Sequence, residues 1–85
     1  MTLTKAIALL GKRVWTVFVL SPQYGRVQRG IIYHVTIHAE KVKRGEWHAY
    51  VSTASGGMDY APEDLYLTKE EAESEMKRRM LKDGE

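Results

Sequence analysis

The stretch "YHVTIHAEKVKRGEWHAY", residues 33–50, holds His34, His38 and His48 together with Glu40 and Glu46. Imidazoles and carboxylates are zinc ligands and general acid–base groups, and their spacing decides whether they can act together. Along a strand at ~3.3 Å per residue, His34 and His38 stand roughly 13 Å apart. Zinc holds each ligating nitrogen at about 2 Å, so those two histidines cannot share one ion. A hairpin through this stretch would place Glu40 opposite His48, with His38 on the diagonal and Tyr50 beside it. That trio lacks a fourth ligand and a wall against water. Neither a metal site nor a catalytic site is expected here; these are solvated polar positions on a strand face.

No other nucleophilic or phosphate-binding set stands out. There is no cysteine, which excludes disulfides, thiolate nucleophiles and cysteine-ligated zinc. Ser21, Ser52, Ser55 and Ser74 lie outside any Gly-x-Ser-x-Gly elbow. "SGG" at Ser55–Gly57 lacks the Lys-Ser/Thr of a phosphate loop and reads as a turn. The carboxylates gather near the C-terminus, where helix-dipole pairing accounts for them. The expectation is a protein that is not an enzyme and carries no cofactor.

Binding chemistry is better represented. Through Tyr60 eight bases face three acids, a net charge of +5, and from Ala61 five bases face eight acids, a net −3. A basic body suggests an anionic partner. Arg26 and Arg29 are expected near one rim, with Lys41, Lys43 and Arg44 at a hairpin tip. Tyr24, Tyr50 and Tyr60 lie nearby in this reading as rings not needed by the core. Bases beside aromatic platforms are the ingredients of nucleic-acid binding, and exposed tyrosines equally anchor protein partners. Trp47 and Tyr33 are assigned to the core.

The elements that position these residues follow from pattern. Thr2–Leu10 predicts a short helix with Thr2 or Thr4 as cap and Gly11 as stop. "RVWTVFVL" (Arg13–Leu20) is β-branched and aromatic, hence a strand. "SPQYG" (Ser21–Gly25) is turn chemistry, with Pro22 presetting its backbone angle. A long strand follows from Arg26, with Gly30 as a bulge or bend. Beyond it Ile31, Tyr33, Val35, Ile37 and Ala39 alternate onto an apolar face, and Ile32, His34, Thr36, His38 and Glu40 onto a polar one. "KRG" (Lys43–Gly45) predicts a three-residue hairpin loop, pairing Val42 with Glu46, Ile37 with Val51 and Ala39 with Ala49. "ASGGM" (Ala54–Met58) is a turn before a short strand near Asp59 and Tyr60. Thr68 and Glu71 form a capping box, with Leu67 able to staple onto Ala72. The helix from 69 to about 82 carries a thin apolar stripe of Ala72, Met76 and Met80, with Leu81 beside it.

The runs "GRVQRGIIYHVTI", "WHAYVS" and "DLYLTKEEAE" resemble small SH3-like-barrel proteins of prophages and mobile elements, over roughly residues 12–80. The sharpest piece is "EDLYLTKEEAES" (Glu63–Ser74), a strand-to-helix segment. The resemblance implies a mostly β (β+α) fold: a small SH3-like barrel of about five strands, with a short N-terminal helix and a C-terminal helix packed on the barrel. One domain is expected over 1–85, with an arm at 1–11, the barrel at 12–67 and the helix at 68–82. Ala6–Leu10 is too short for a signal-peptide core and no stretch reaches the ~20 apolar residues of a membrane span, so a cytoplasmic protein is expected, with no membrane partner. The expected function is non-enzymatic, stoichiometric binding of a host protein, as an inhibitor of host defence for example. A nucleic-acid-binding module is the alternative, a protein partner being slightly favoured over DNA or RNA. A monomer or weak homodimer is expected.

Overall fold

The computed structural model describes residues 1–21, 23–37 and 46–83, with the backbone alone for 82 and 83. The elements are α1 (Leu3–Ala8), β1 (Arg13–Ser21), β2 (Tyr24–Ile37), β3 (Trp47–Thr53), β4 (Gly56–Tyr60), a 3-10 turn (Pro62–Asp64), β5 (Leu65–Tyr66) and α2 (Lys69–Asp83). The strands form one antiparallel sheet in the order β4-β3-β2-β1-β5. β4 and β5 are its edges, so the sheet is not closed into a barrel. The 14-residue β2 lies at its centre and divides its length between two neighbours. Residues 24–31 pair with β1, and residues 30–37 pair with β3.

Partners across an antiparallel ladder share a face, and alternate residues share it along each strand. One face therefore collects Val14, Ile32, Ala49, Val51 and Leu65, all 2% exposed or less, together with Trp47 and Tyr60 at 3%. This inner face packs with Ala6 of α1, and with Met1, Leu3 and Leu9, into the main core. Each large aliphatic side chain buried there stabilises the fold by about 1.5–3 kcal/mol. The outer face of β1 and β2 carries Val17, which is 1% exposed, and is covered in part by α2.

The N-terminal helix follows its capping chemistry. The Thr2 side chain accepts from the Lys5 amide at 3.2 Å; the helix ends at Ala8 with Leu9 as its cap, short of the expected Leu10, and Gly11 turns the chain toward β1 at φ +77°. The Gly11 amide then donates to Ile32 O at 2.8 Å, tying the arm to β2. At the other helix, the Glu71 amide donates to Thr68 Oγ1 at 3.2 Å, and the Thr68 hydroxyl donates to Glu71 Oε1 at 2.9 Å. The cap is therefore present, though the Glu71 carboxylate meets the hydroxyl. Leu67 is half exposed, whereas Ala72 is fully buried. Met76 and Met80 crowd Gly25, where an added Cβ would lie 2.7 Å from Met80 Sδ. Leu81 is exposed.

A polar joint fixes α2 to the sheet edge. Arg79 Nη1 meets Asp64 Oδ1 at 2.6 Å, and Nη2 donates to Glu63 O at 2.8 Å. The Tyr66 hydroxyl donates to the same carbonyl at 2.8 Å. Burial, and then the neighbouring Glu75 carboxylate, push the Tyr66 phenol above its usual value, with Arg79 working the other way. Hydrogen bonds from Arg78 hold the Glu75 carboxyl below its usual range; the charges of Arg78 and Arg79 add to this, and burial opposes it.

Two expectations about β2 are corrected. The ladder to β3 pairs Ile37 with Trp47, Val35 with Ala49 and Ile32 with Val51. Ile37 was expected opposite Val51, four residues further on. An even slip leaves every side chain on its own face, so apolar alternation allows both registers. Val42, Ala39 and the Lys43–Gly45 loop lie outside the described residues, as does Pro22 of the first turn.

The irregularity in β2 falls between Ile32 and His34, which makes Tyr33 the extra, bulged residue. Gly30, expected to mark the bulge, pairs regularly with Val14 and Thr53. It is glycine because a Cβ there would lie 2.5 Å from Val51 Cγ1 and 2.7 Å from Ser52 O. The bulge resets the alternation. Ile32 is thereby fully buried, whereas Tyr33, assigned to the core from sequence, is 63% exposed.

Candidate docking face

The part of the outer face that α2 leaves open is built by β1, β2 and β3. Counting from the β1–β2 ladder, Arg13 lies opposite Ile31 and Trp15 opposite Arg29, so the two arginines are diagonal neighbours on one face. Ile31 lies opposite Ser52, and His34 opposite Tyr50. Arg13, Arg29, Gly30, Ile31, Ser52, Thr53 and Ala54 line a shallow cleft of about 340 Å³. No acid borders it, and neither arginine makes an ion pair among the described residues.

Beside the cleft, the His34 and Tyr50 rings stack with centroids 5.0 Å apart and planes 8° from parallel. Tyr50 lies across Gly57 of β4, where any side chain would overlap the phenol. A glycine at that position fixes where the ring can lie. Tyr33 and Ile31 add exposed apolar surface on the same side of β2. Asp59, exposed, faces Tyr50 across the β3–β4 ladder.

The expected site residues are thus dispersed. Arg26 and Arg29 are three residues apart in a regular stretch of strand, which puts them on opposite faces. The Arg26 guanidinium lies 5.7 Å from the Phe18 ring centroid, and Nη1 reaches Ser55 Oγ at 3.5 Å. Gln28 Nε2 donates to the same oxygen at 2.7 Å. Arg26 Nε and Gln28 Oε1 are buried without a partner among the described residues. Tyr24 meets Phe18 edge-on at 6.5 Å, so it belongs to this Arg26 cluster. Tyr60, expected as a free ring, is 3% exposed and is part of the core opposite Ala49. Tyr50 and Arg29 remain on the open face. Lys41, Lys43 and Arg44 lie outside the described residues, and so do His38 and Glu40.

Arg13 and His34 are the additions that sequence reasoning missed. Counting back regularly from the Ser21–Tyr24 pair sets Arg13 opposite Ile32, on the other face from Arg29; the irregularity between Val19 and Ser21 offsets that count by one and brings the two arginines onto one face. His34 was expected on a polar face and lies beside Tyr50 only because of the shifted register.

A second cleft, of about 270 Å³, is bordered by Glu46, Trp47, His48, Ala61, Pro62 and Glu63. Among the described residues no group of three or more histidine, cysteine, aspartate or glutamate side chains is gathered to hold a metal ion. No helix among them is long and apolar enough to cross a membrane.

Fold and surface together define a small antiparallel β-sheet domain flanked by two helices, with one basic and aromatic face left open. Compared with protein-family models, with curated proteins and with solved structures, the chain has no match.

Proposed function

We propose that the protein is a non-enzymatic binding module of SH3-like architecture, of prophage or mobile-element origin, that binds a host protein stoichiometrically. The strand order, with the last short strand returning beside the first, supports that architecture. The observation that carries the binding reading is the bulge at Tyr33. It turns a large ring outward, to 63% exposure, next to Ile31 and on the same side as Arg29. Tyrosine and arginine around a small apolar centre are the side chains that dominate protein interfaces. Inhibition of host defence is the natural role for such a binder.

The nucleic-acid reading has one observation in its favour, the His34–Tyr50 stack beside Arg29. It is disfavoured because Arg26 turns to the opposite face and Asp59 shares the open one. Affinity for a phosphate backbone grows with the number of phosphates neutralised.

Affinity capture from a bacterial lysate tests the protein reading, comparing the wild type with Tyr33→Ala and with Lys77→Ala on the exposed side of α2. A stoichiometric protein should be held by the wild type and by Lys77→Ala. Tyr33→Ala should weaken that complex about 30-fold, the effect of losing a hot spot of ~2 kcal/mol. Recovery of no partner, or equal recovery by Tyr33→Ala, would sink the proposal. Salt-sensitive binding of single-stranded DNA or RNA at micromolar protein, read by fluorescence anisotropy, would favour the alternative.

A further inference from the structure

Arg13 and Arg29 are like charges placed diagonally on neighbouring strands, within reach of each other's long side chains. Both are exposed, both border the same cleft, and no carboxylate among the described residues pairs with either. The cleft also presents Ser52, whose hydroxyl makes no hydrogen bond among the described residues. Thr53, by contrast, already uses its hydroxyl, donating to Gly56 O at 2.9 Å and accepting from the Ser55 amide at 3.3 Å. The available groups are therefore two guanidinium cations and a neutral hydroxyl that can donate, around a hollow of about 340 Å³. Guanidinium forks match oxyanions, donating two parallel N–H bonds to a carboxylate.

We propose that Arg13 and Arg29, with the Ser52 hydroxyl, form a subsite for a glutamate or aspartate carboxylate on an acidic segment of the partner protein. The inference rests on reading this face as a docking surface, and it names the chemistry of what docks. A side-chain carboxylate relieves the repulsion between the arginines with a single charge. Its peptide then continues over Ile31, which lines the cleft, toward the exposed Tyr33 two residues further along β2. A nucleic-acid strand would instead bring a series of phosphates past Asp59, where repulsion replaces attraction.

Heteronuclear NMR of the full chain tests this directly, with acetylated tetraglutamate amide as probe and the tetraglutamine peptide as control. Saturable shifts at millimolar tetraglutamate are expected at the Arg13 and Arg29 Nε–H groups and at the Ser52–Ala54 amides. Arg13→Gln or Arg29→Gln should weaken binding at least fivefold, whereas Arg26→Gln on the opposite face should not. Equal response to tetraglutamine, or shifts spread equally over Lys5 and Lys77, would overturn the subsite. So would tighter binding of inorganic phosphate or oligothymidylate at the same residues. The lysate experiment separates the two levels. Capture lost by Tyr33→Ala alongside a silent tetraglutamate titration removes the subsite and keeps the docking face. A specific titration with no captured partner supports the subsite and removes the docking reading.

Discussion

Gly30 and Gly25 occupy the same strand, yet a methyl group added to each meets different resistance. At Gly30 it would press on Val51 and on the Ser52 carbonyl, part of the sheet itself. At Gly25 it would meet the side chains of Met76 and Met80, which can swing aside. Gly30→Ala is therefore expected to lower stability by about 1–3 kcal/mol, and Gly25→Ala by clearly less. Urea denaturation gives both values; an equal loss at the two sites would contradict this account of Gly30. The bulged Tyr33 belongs to the same scale. A single extra residue moves Ile32 into the core and Tyr33 out of it, and no composition rule flags which residue a bulge will take.

At the scale of elements, the strands and helices were legible where local chemistry specifies them. Thr2, Thr68 and the β-branched run of β1 each mark their element through capping or propensity. Thr68→Ala removes the acceptor for the Glu71 amide and should cost about 1 kcal/mol, seen as a lower thermal midpoint. The joint between α2 and the sheet edge depends on Asp64 and Arg79, which are fifteen residues apart. Asp64→Ala removes the charged partner of Arg79 Nη1, leaving the guanidinium its bonds to Glu63 O and Glu75, and should cost about 1.5–3 kcal/mol. An unchanged denaturation midpoint would show that the pair only decorates the surface. The pairing of β2 with β3 was not legible in the same way. Alternation fixes register only to within an even slip, and the Lys-Arg-Gly motif pointed to the wrong one.

For the whole molecule, that one joint adds a pH dependence of stability on both the acid and the alkaline side. Glu75 ionises more readily in the folded protein than in the unfolded chain, where a glutamate titrates near ~4.3. Its contribution is present above that value and is lost as pH falls through the lower native one. Tyr66 is shifted the other way. Its contribution is present below about pH 10 and is lost as pH rises from there through the higher native value. Glu75→Gln should flatten the acid limb of a stability–pH profile, and Tyr66→Phe the alkaline limb. Tyr66→Phe should also cost about 1 kcal/mol at neutral pH through the lost bond to Glu63 O. Limbs unchanged in both variants would place the pH sensitivity elsewhere.

The amino-acid sequence by itself determined both helices, the Thr2 and Thr68 caps, the four longer strands and the assignment of Trp47 to the core, because these follow from neighbours within a few residues; the two-residue β5 and the 3-10 turn before it do not. It also carried the alternation that separates Arg26 from Arg29, since residues three apart on a regular strand must face opposite ways. Only the tertiary structure decided which registers are used, where β2 bulges, and that Tyr60 is consumed by the core while Tyr33 is released. Those outcomes depend on packing between segments distant in the chain. The same packing brings Arg13 beside Arg29 and leaves their face open.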